Sequence, residues 1–218
     1  MRKLVLTALI GLGLMVEGGL AKAQKADTAY LHTIQERSWK IVQKLNLPEQ
    51  KKALKVRDVI ADQYIALNEV YTARDQKVKA LKQNTALPKD EVEKQNTQIK
   101  DWTTAETQKL HQAYLKQLHK NLNEEQIVAV KDGMTYGVVP LTFNAYQQML
   151  PNLTQEQKDQ IYKWLVEARE YAMDAESSEK KHAWFGKYKG KINNYLSAAG
   201  IDMKQAGEDW AKRVKENK

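Results

Sequence analysis

Apolar residues recur at spacings of three and four over almost the whole chain. Between Ala26 and Leu45 they are Tyr30, Ile34, Ile41 and Leu45, which line one face of a helix. Asn46-Leu47-Pro48-Glu49-Gln50 ends that run and starts the next. Asn46 is the expected cap, Pro48 lies in a first turn that needs no N–H, and Glu49 follows three residues after the cap. From Gln50 to about Lys82 nothing breaks the pattern, and Val56, Ile60, Leu67, Val70, Val78 and Leu81 share one side. Asn84–Pro88 reads as a turn. Lys89 to about Lys120 is a second unbroken run, carrying Val92, Ile99, Trp102, Leu110, Tyr114 and Leu118. Two such helices, each about 45 Å long at 1.5 Å per residue, predict an antiparallel hairpin over 46–121. Its stripe thins toward the turn, so the tip is expected to project beyond the core.

Shorter elements follow over 122–218. Asn123 with Gln126, and Thr154 with Gln157, have the spacing of capping boxes. Together with Asn46–Gln50 they make three similar helix starts, which either duplication or shared capping chemistry would produce. Asp132–Thr142 reads as an apolar loop. Gly133 and Gly137 allow unusual backbone angles, and Pro140 argues against helix through the segment. Phe143–Leu150 is then a short helix. Gln155 to about Ala175 places Ile161, Leu165, Ala168 and Ala172 inward, with Lys163, Glu167, Glu170 and Asp174 on the other side. Either Ser177 or Ser178 can cap a helix running to about Ala199, with Phe185, Tyr188, Ile192 and Leu196 inward. Asp202 caps a last helix whose inward residues are Met203, Ala206, Trp210 and Val214. The fold class is all-α: a long hairpin plus a compact C-terminal helical array, both within one all-helical domain over 24–218.

The first residues change this picture. Arg2 and Lys3 precede an apolar run from Leu4 to Val16 that is too short to span a bilayer. Ala21-Lys22-Ala23 fits a cleavage site. Residues 1–23 therefore read as a signal peptide, and the chain as periplasmic or secreted. There is no cysteine, so neither a lipid anchor on cysteine nor a disulfide is available. Formal charge is +8 in 218 residues, and +6 once a leader with three cations and one anion is removed. Residues 177–218 hold ten Lys/Arg against five Asp/Glu, so most of the excess lies there. For an exported protein this favours an acidic polysaccharide or an anionic envelope surface over nucleic acid, and gives no reason for membrane insertion after cleavage.

Catalytic templates are absent. There is no cysteine nucleophile, no Gly-x-Ser-x-Gly elbow and no phosphate-cradling loop. The four histidines, at 32, 111, 119 and 182, never pair at the i, i+4 spacing of a zinc site, and no metal or cofactor is expected. The richest stretch is Trp164–Tyr195. There His182, Gly186, Lys189 and Asn193 fall on one helical face, flanked by Trp184, Lys187, Asn194 and Tyr195. Gly186 and Gly190 each cost a helix roughly 1 kcal/mol against alanine. Close approach of the apolar loop would explain them. Aromatic rings beside amides and lysines suit sugars, since rings stack on a pyranose while amides and cations bind hydroxyls or carboxylates. The same residues would equally serve as loop-locking contacts. Glu167, Glu170 and Asp174 could form an acid/base pair, as in glycoside cleavage, or ordinary salt bridges with Lys163 and Arg169.

Lys131–Asp202 resembles a secreted bacterial family known only as a domain of unknown function, through the blocks Asp132–Gly137, Glu167–Arg169, Ala172–Asp174 and His182–Leu196. The resemblance covers Leu122–Trp210 and is weak over the hairpin. It implies an exported all-helical protein with a suggested sugar-binding role, and brings no catalytic residue. Leu153-Thr154-Gln155-Glu156-Gln157 is also similar to the helix start of periplasmic helical chaperones. The leading expectation is a carbohydrate-binding accessory protein without a reaction of its own. Its expected ligand contacts are His182, Trp184, Lys187, Lys189, Asn193 and Asn194, with Tyr136 and Glu167 nearby. The alternatives are a chaperone-like interaction protein working through the hairpin and a polysaccharide-active enzyme.

Overall fold

The computed structural model describes the backbone of residues 17–216 and side chains from Thr28 onward. Most of the expected leader, residues 1–16, lies outside the described ones. Eight helices and no strand occur among them: α1 Glu17–Gln43, α2 Gln50–Gln83, α3 Lys89–His119, α4 Glu124–Met134, α5 Val138–Met149, α6 Gln155–Met173, α7 Ser178–Ala198 and α8 Met203–Glu216. No described helix is long and apolar enough to cross a membrane.

The all-α expectation holds, and α2 and α3 form the long antiparallel pair. At 34 and 31 residues they extend about 51 and 46 Å. Leu81 is buried near the turn, while Val78, Val92 and Ile99 are only half-buried. Beyond Asp75 on α2 and before Glu106 on α3, the described polar and cation–π contacts stay within the hairpin. One places the Lys77 ammonium 4.9 Å above the Trp102 ring.

The apolar residues pack as two cores. The first joins the base of the hairpin to α1 and α4, with Ile41, Val56, Ile60, Tyr114, Leu118, Val130 and Met134 at its centre. The second lies among α5, α6 and α7, around Tyr146, Ile161, Leu165, Ala168, Phe185, Ile192 and Leu196. Helix α6 serves both, because its last residue, Met173, is buried in the first core.

Helix starts follow the sequence closely. Both capping boxes form: Asn123 with Gln126 and Thr154 with Gln157. Ser177 caps α7, and Asp202 accepts from the N–H groups of Lys204 and Gln205. Asn46 differs from its expected role. It is a left-handed residue (φ 49°) in the turn after α1, and Glu49 is the N-cap of α2 without a side-chain bond. Asparagine tolerates that backbone region, so the same residue ends one helix instead of starting the next.

Asp132–Thr142 is not a loop. Helix α4 continues through Gly133 to Met134, and α5 begins at Val138. Pro140 is the third residue of α5, inside the first turn, where the backbone N–H it lacks has no intrahelical acceptor. The reversal takes three residues. The Gly137 N–H donates to the Asp132 carbonyl at 2.8 Å, and Tyr136 and Gly137 are both left-handed, at φ 60° and 66°. This is a Schellman closure with tyrosine in the position glycine usually takes.

Gly133 sets the separation of α4 from α1. A Cβ there would lie 2.9 Å from Cγ2 and 3.0 Å from Cγ1 of the buried Ile41. Both atoms belong to a stiff β-branched side chain. Gly133→Ala is expected to destabilise the protein by about 1–2 kcal/mol despite its better helix propensity. Urea unfolding should show this cost shrinking in an Ile41→Ala background. Equal costs in both backgrounds would refute the close approach.

Candidate functional site

The residues expected to act together fall on opposite flanks of α7. Helical geometry turns 100° per residue, so Trp184, Lys187, Lys191, Asn194 and Tyr195 share the flank toward the outer edge of α6, while His182, Gly186, Lys189 and Asn193 share the other. Between them lies the buried stripe Phe185, Tyr188, Ile192 and Leu196. Neither flank is roofed by a loop. A Cβ at Gly186 or Gly190 would meet nothing within 4 Å, so the close approach expected for these glycines is absent. The turn that was to supply it is three residues long.

On the second flank, the exposed His182 ring stacks on Tyr136, with centroids 5.5 Å apart and planes 12° apart. Tyr136 is 49% exposed and holds its left-handed backbone at a cost of roughly 1–2 kcal/mol. Strain of this kind marks a residue held in place by its neighbours. Further along, the Tyr146 hydroxyl of α5 donates to Asn193 Oδ1 at 2.7 Å. Burial pushes the Tyr146 phenol up to about 12. Asn193 thus ties α5 to α7, and Lys189 remains exposed beside it.

The first flank is an aromatic strip across two helices. Tyr171 of α6, 49% exposed, stacks on Trp184 at 4.6 Å and 17°. Lys187 places its ammonium 5.1 Å above the Trp184 ring. Tyr188 follows, 6.4 Å from Tyr171. Burial, then its hydrogen bond to Glu167, raises its phenol to about 12. The Lys191 ammonium lies 4.6 Å over Trp164 and 5.5 Å over Tyr188. Trp164 in turn meets Tyr195 edge to face. From Trp184 to Tyr195 the strip runs about 16 Å along α7. Glu167 is its only acid from α6, and Asn194 stands exposed on its outer side.

Glu170 and Asp174 take a different path from Glu167. They turn from solvent toward α3 and α4, into a charged junction between the two cores. His111 Nδ1 of α3 lies 2.6 Å from Asp174 Oδ2, and its Nε2 lies 3.6 Å from Glu170 Oε2. Lys131 of α4 is 2.6 Å from that same Glu170 oxygen. Arg169, 3% exposed, pairs with Asp132 at 2.8 Å. Its Nε and Glu170 Oε1 face each other at 3.5 Å without a hydrogen bond. From α2, Gln63 donates to Asp174 Oδ1 at 3.2 Å, the Tyr71 hydroxyl donates to the Asp174 carbonyl at 2.8 Å, and Arg74 pairs with Glu176.

Lys181 completes the junction. It is 5% exposed, and its ammonium donates to the carbonyls of Met134 and Met173 at 3.3 and 3.0 Å. These are the last residues of α4 and α6, where unpaired carbonyls concentrate negative potential. Burial lowers its pKa to about 8, partly offset by Asp174.

None of His111, Lys131, Asp132 and Lys181 was expected at such a junction from the sequence, and Arg169 was expected only as an ordinary salt-bridge partner, which its pairing with Asp132 and approach to Glu170 match. The signal for Lys181 was present: it sits in phase with Phe185, Tyr188, Ile192 and Leu196, as a cation on an apolar stripe. His111 is likewise in phase with Tyr114 and Leu118.

Fold and site together define an all-helical protein of two cores pinned through a charged junction, with an open aromatic strip on its second core. The chain belongs to the family described as "Protein of unknown function (DUF3826)", whose model matches residues 31–216. No curated protein matches it.

Lys181→Met should leave the Met134 and Met173 carbonyls without their donor and cost about 2 kcal/mol in urea unfolding. The pH dependence has a definite sign. Because the folded pKa lies below that of a free lysine, the unfolded state holds more protons from about pH 8 upward. Between pH 8 and 10, wild type should gain stability relative to Lys181→Met. A constant difference would rule out the buried ammonium.

Proposed function

We propose that this chain is an exported carbohydrate-binding accessory protein without a reaction of its own, and that the strip along α6 and α7 is its binding face. The observation that carries this is the pairing of half-exposed rings with ammonium groups. Tyr171, Trp184, Trp164 and Tyr195 supply flat apolar surface, and Lys187 and Lys191 lie over two of those rings. Such a face offers stacking to the C–H side of a pyranose and cations to carboxylates or sulfates on its rim. An acidic polysaccharide matches it better than a neutral one. Its openness suits a chain bound along its length more than a small molecule enclosed in a pocket. Of the residues expected from sequence, Trp184, Lys187, Asn194 and Glu167 belong to this face. His182, Lys189, Asn193 and Tyr136 lie on the opposite flank and would make a separate contact.

A second reading rests on a different observation. An open groove of about 610 Å³ near the hairpin tip is lined by the apolar Leu81, Leu87, Ile99 and Trp102 together with the polar Lys77, Asn84, Gln95 and Gln98. It suits a chaperone-like interaction protein that grips a client with the projecting end of the hairpin.

Intrinsic tryptophan fluorescence should shift on titration with uronic-acid oligosaccharides. Trp184→Ala should weaken binding at least tenfold, about 1.4 kcal/mol. Lys187→Ala should weaken acidic ligands more than neutral ones and flatten the salt dependence. A panel of acidic and neutral glycans that leaves the fluorescence unchanged would remove the carbohydrate reading. Suppression of client aggregation, lost on trimming residues 76–104, would then favour the hairpin.

A further inference from the structure

The charged junction holds a group whose proton count decides the sign of a contact. His111 stands between a carboxylate of α6 and that of its C-cap, with Nε2 toward Glu170 and Nδ1 against Asp174. A neutral imidazole has one N–H. Donating it to Asp174 turns the Nε2 lone pair on the Glu170 oxygen, and that contact becomes repulsive. A second proton makes both contacts attractive. We propose that His111 is a pH-operated clasp, which holds α3 of the hairpin to α6 while the imidazole is protonated and loosens when it is not. The clasp is independent of any ligand on the aromatic strip.

The surroundings fit this role. From α2 come Gln63 and Tyr71, both bonded to Asp174, and Arg74, paired with Asp75 and Glu176. From α4 come Lys131 on Glu170 and Asp132 on Arg169. Lys181 enters from α7, and the phenols of Tyr64 and Tyr114 lie behind. The charged side chains are five cations (Arg74, Lys131, Arg169, Lys181 and, from α1 beside Tyr64 and Lys181, Arg37) and five anions (Asp75, Asp132, Glu170, Asp174 and Glu176). The hydrogen bond to Asp174 raises the His111 pKa most. Burial opposes, the charges of Asp174 and Glu170 add to the rise, and Lys131 subtracts, leaving it above the usual histidine value.

The direction in pH follows. A raised folded pKa means that the stabilisation is complete below the unfolded histidine value, about 6.5, and is lost as pH rises through the folded one. Lys181 acts in the opposite sense and only from about pH 8 upward, so the two windows separate.

The test uses the full chain. Urea unfolding between pH 5.5 and 8 should show the folding constant of wild type falling with pH, by up to tenfold for each unit of difference between folded and unfolded pKa. His111→Gln keeps a donor for Asp174 but cannot titrate, and this fall should disappear. His32→Gln, His119→Gln and His182→Gln should retain it. Amide-exchange protection factors for residues 107–115 should drop with the same midpoint, while those for 185–196 stay level. The His111 imidazole, followed by NMR in wild type, should titrate above 6.5, and this alone decides if His111→Gln does not fold. A wild-type profile without slope, a slope that survives in His111→Gln, a uniform loss of protection, or an imidazole midpoint at or below 6.5 would each overturn the clasp.

Discussion

One buried ammonium closes two helices at once. The carbonyl ends of α4 and α6 converge on Lys181, which reaches them from the first turn of α7. Without such a donor, the terminal carbonyls of Met134 and Met173 would lose their side-chain partner in a buried site. The contact therefore ties the end of α4, the end of α6 and the first turn of α7 to one point. Everything described on α7, the stacked rings included, is positioned from that point. The device recurs more mildly at α8, where Arg213 donates to the Gln148 and Met149 carbonyls at the end of α5. Cations placed at helix C-termini hold the compact part together where short loops supply little contact of their own.

The junction around Lys181 also explains why α6 is the central helix. One side carries Ile161, Leu165, Ala168 and Ala172 into the second core, and Met173 enters the first. Its outer edge presents Trp164, Glu167 and Tyr171, while Arg169, Glu170 and Asp174 meet the hairpin and α4. A buried ion-pair cluster contributes little net stability compared with apolar packing, because desolvation offsets much of its attraction. It does impose a unique arrangement, since any shift of α3 or α4 would strand a charge. The two cores are thereby held in one register through polar contacts on a single helix.

What the sequence revealed depended on the range of the signal. Capping residues act within four positions, so Asn123, Thr154, Ser177 and Asp202 were readable. Long apolar periods announced the hairpin. Pro140 misled because its effect depends on position: three residues later it would have broken α5, but in the first turn it is neutral. Gly186 and Gly190 looked like points of contact and proved to be open surface. The stripe His182, Lys189 and Asn193 was a true helical face, and the helical period already put Trp184 and Lys187 on the opposite flank; what sequence could not show was the rings of α6 that stand beside them. The junction stayed hidden for a related reason. His111, Lys131 and Asp174 are far apart along the chain, and only the packing of three helices brings their charges together.

The outer hairpin raises a matter of modularity. Past Asp75 and before Glu106, the described contacts of α2 and α3 are with each other, while the anchoring residues Gln63, Tyr71, Arg74, His111 and Tyr114 lie closer to the cores. Length and anchorage are thus separate properties of the same two helices. Adding or removing matched turns near Asn84–Pro88 would change how far the arm reaches without altering its root. The reach and surface chemistry of the arm are thus open to change without disturbing the geometry of the junction beneath it.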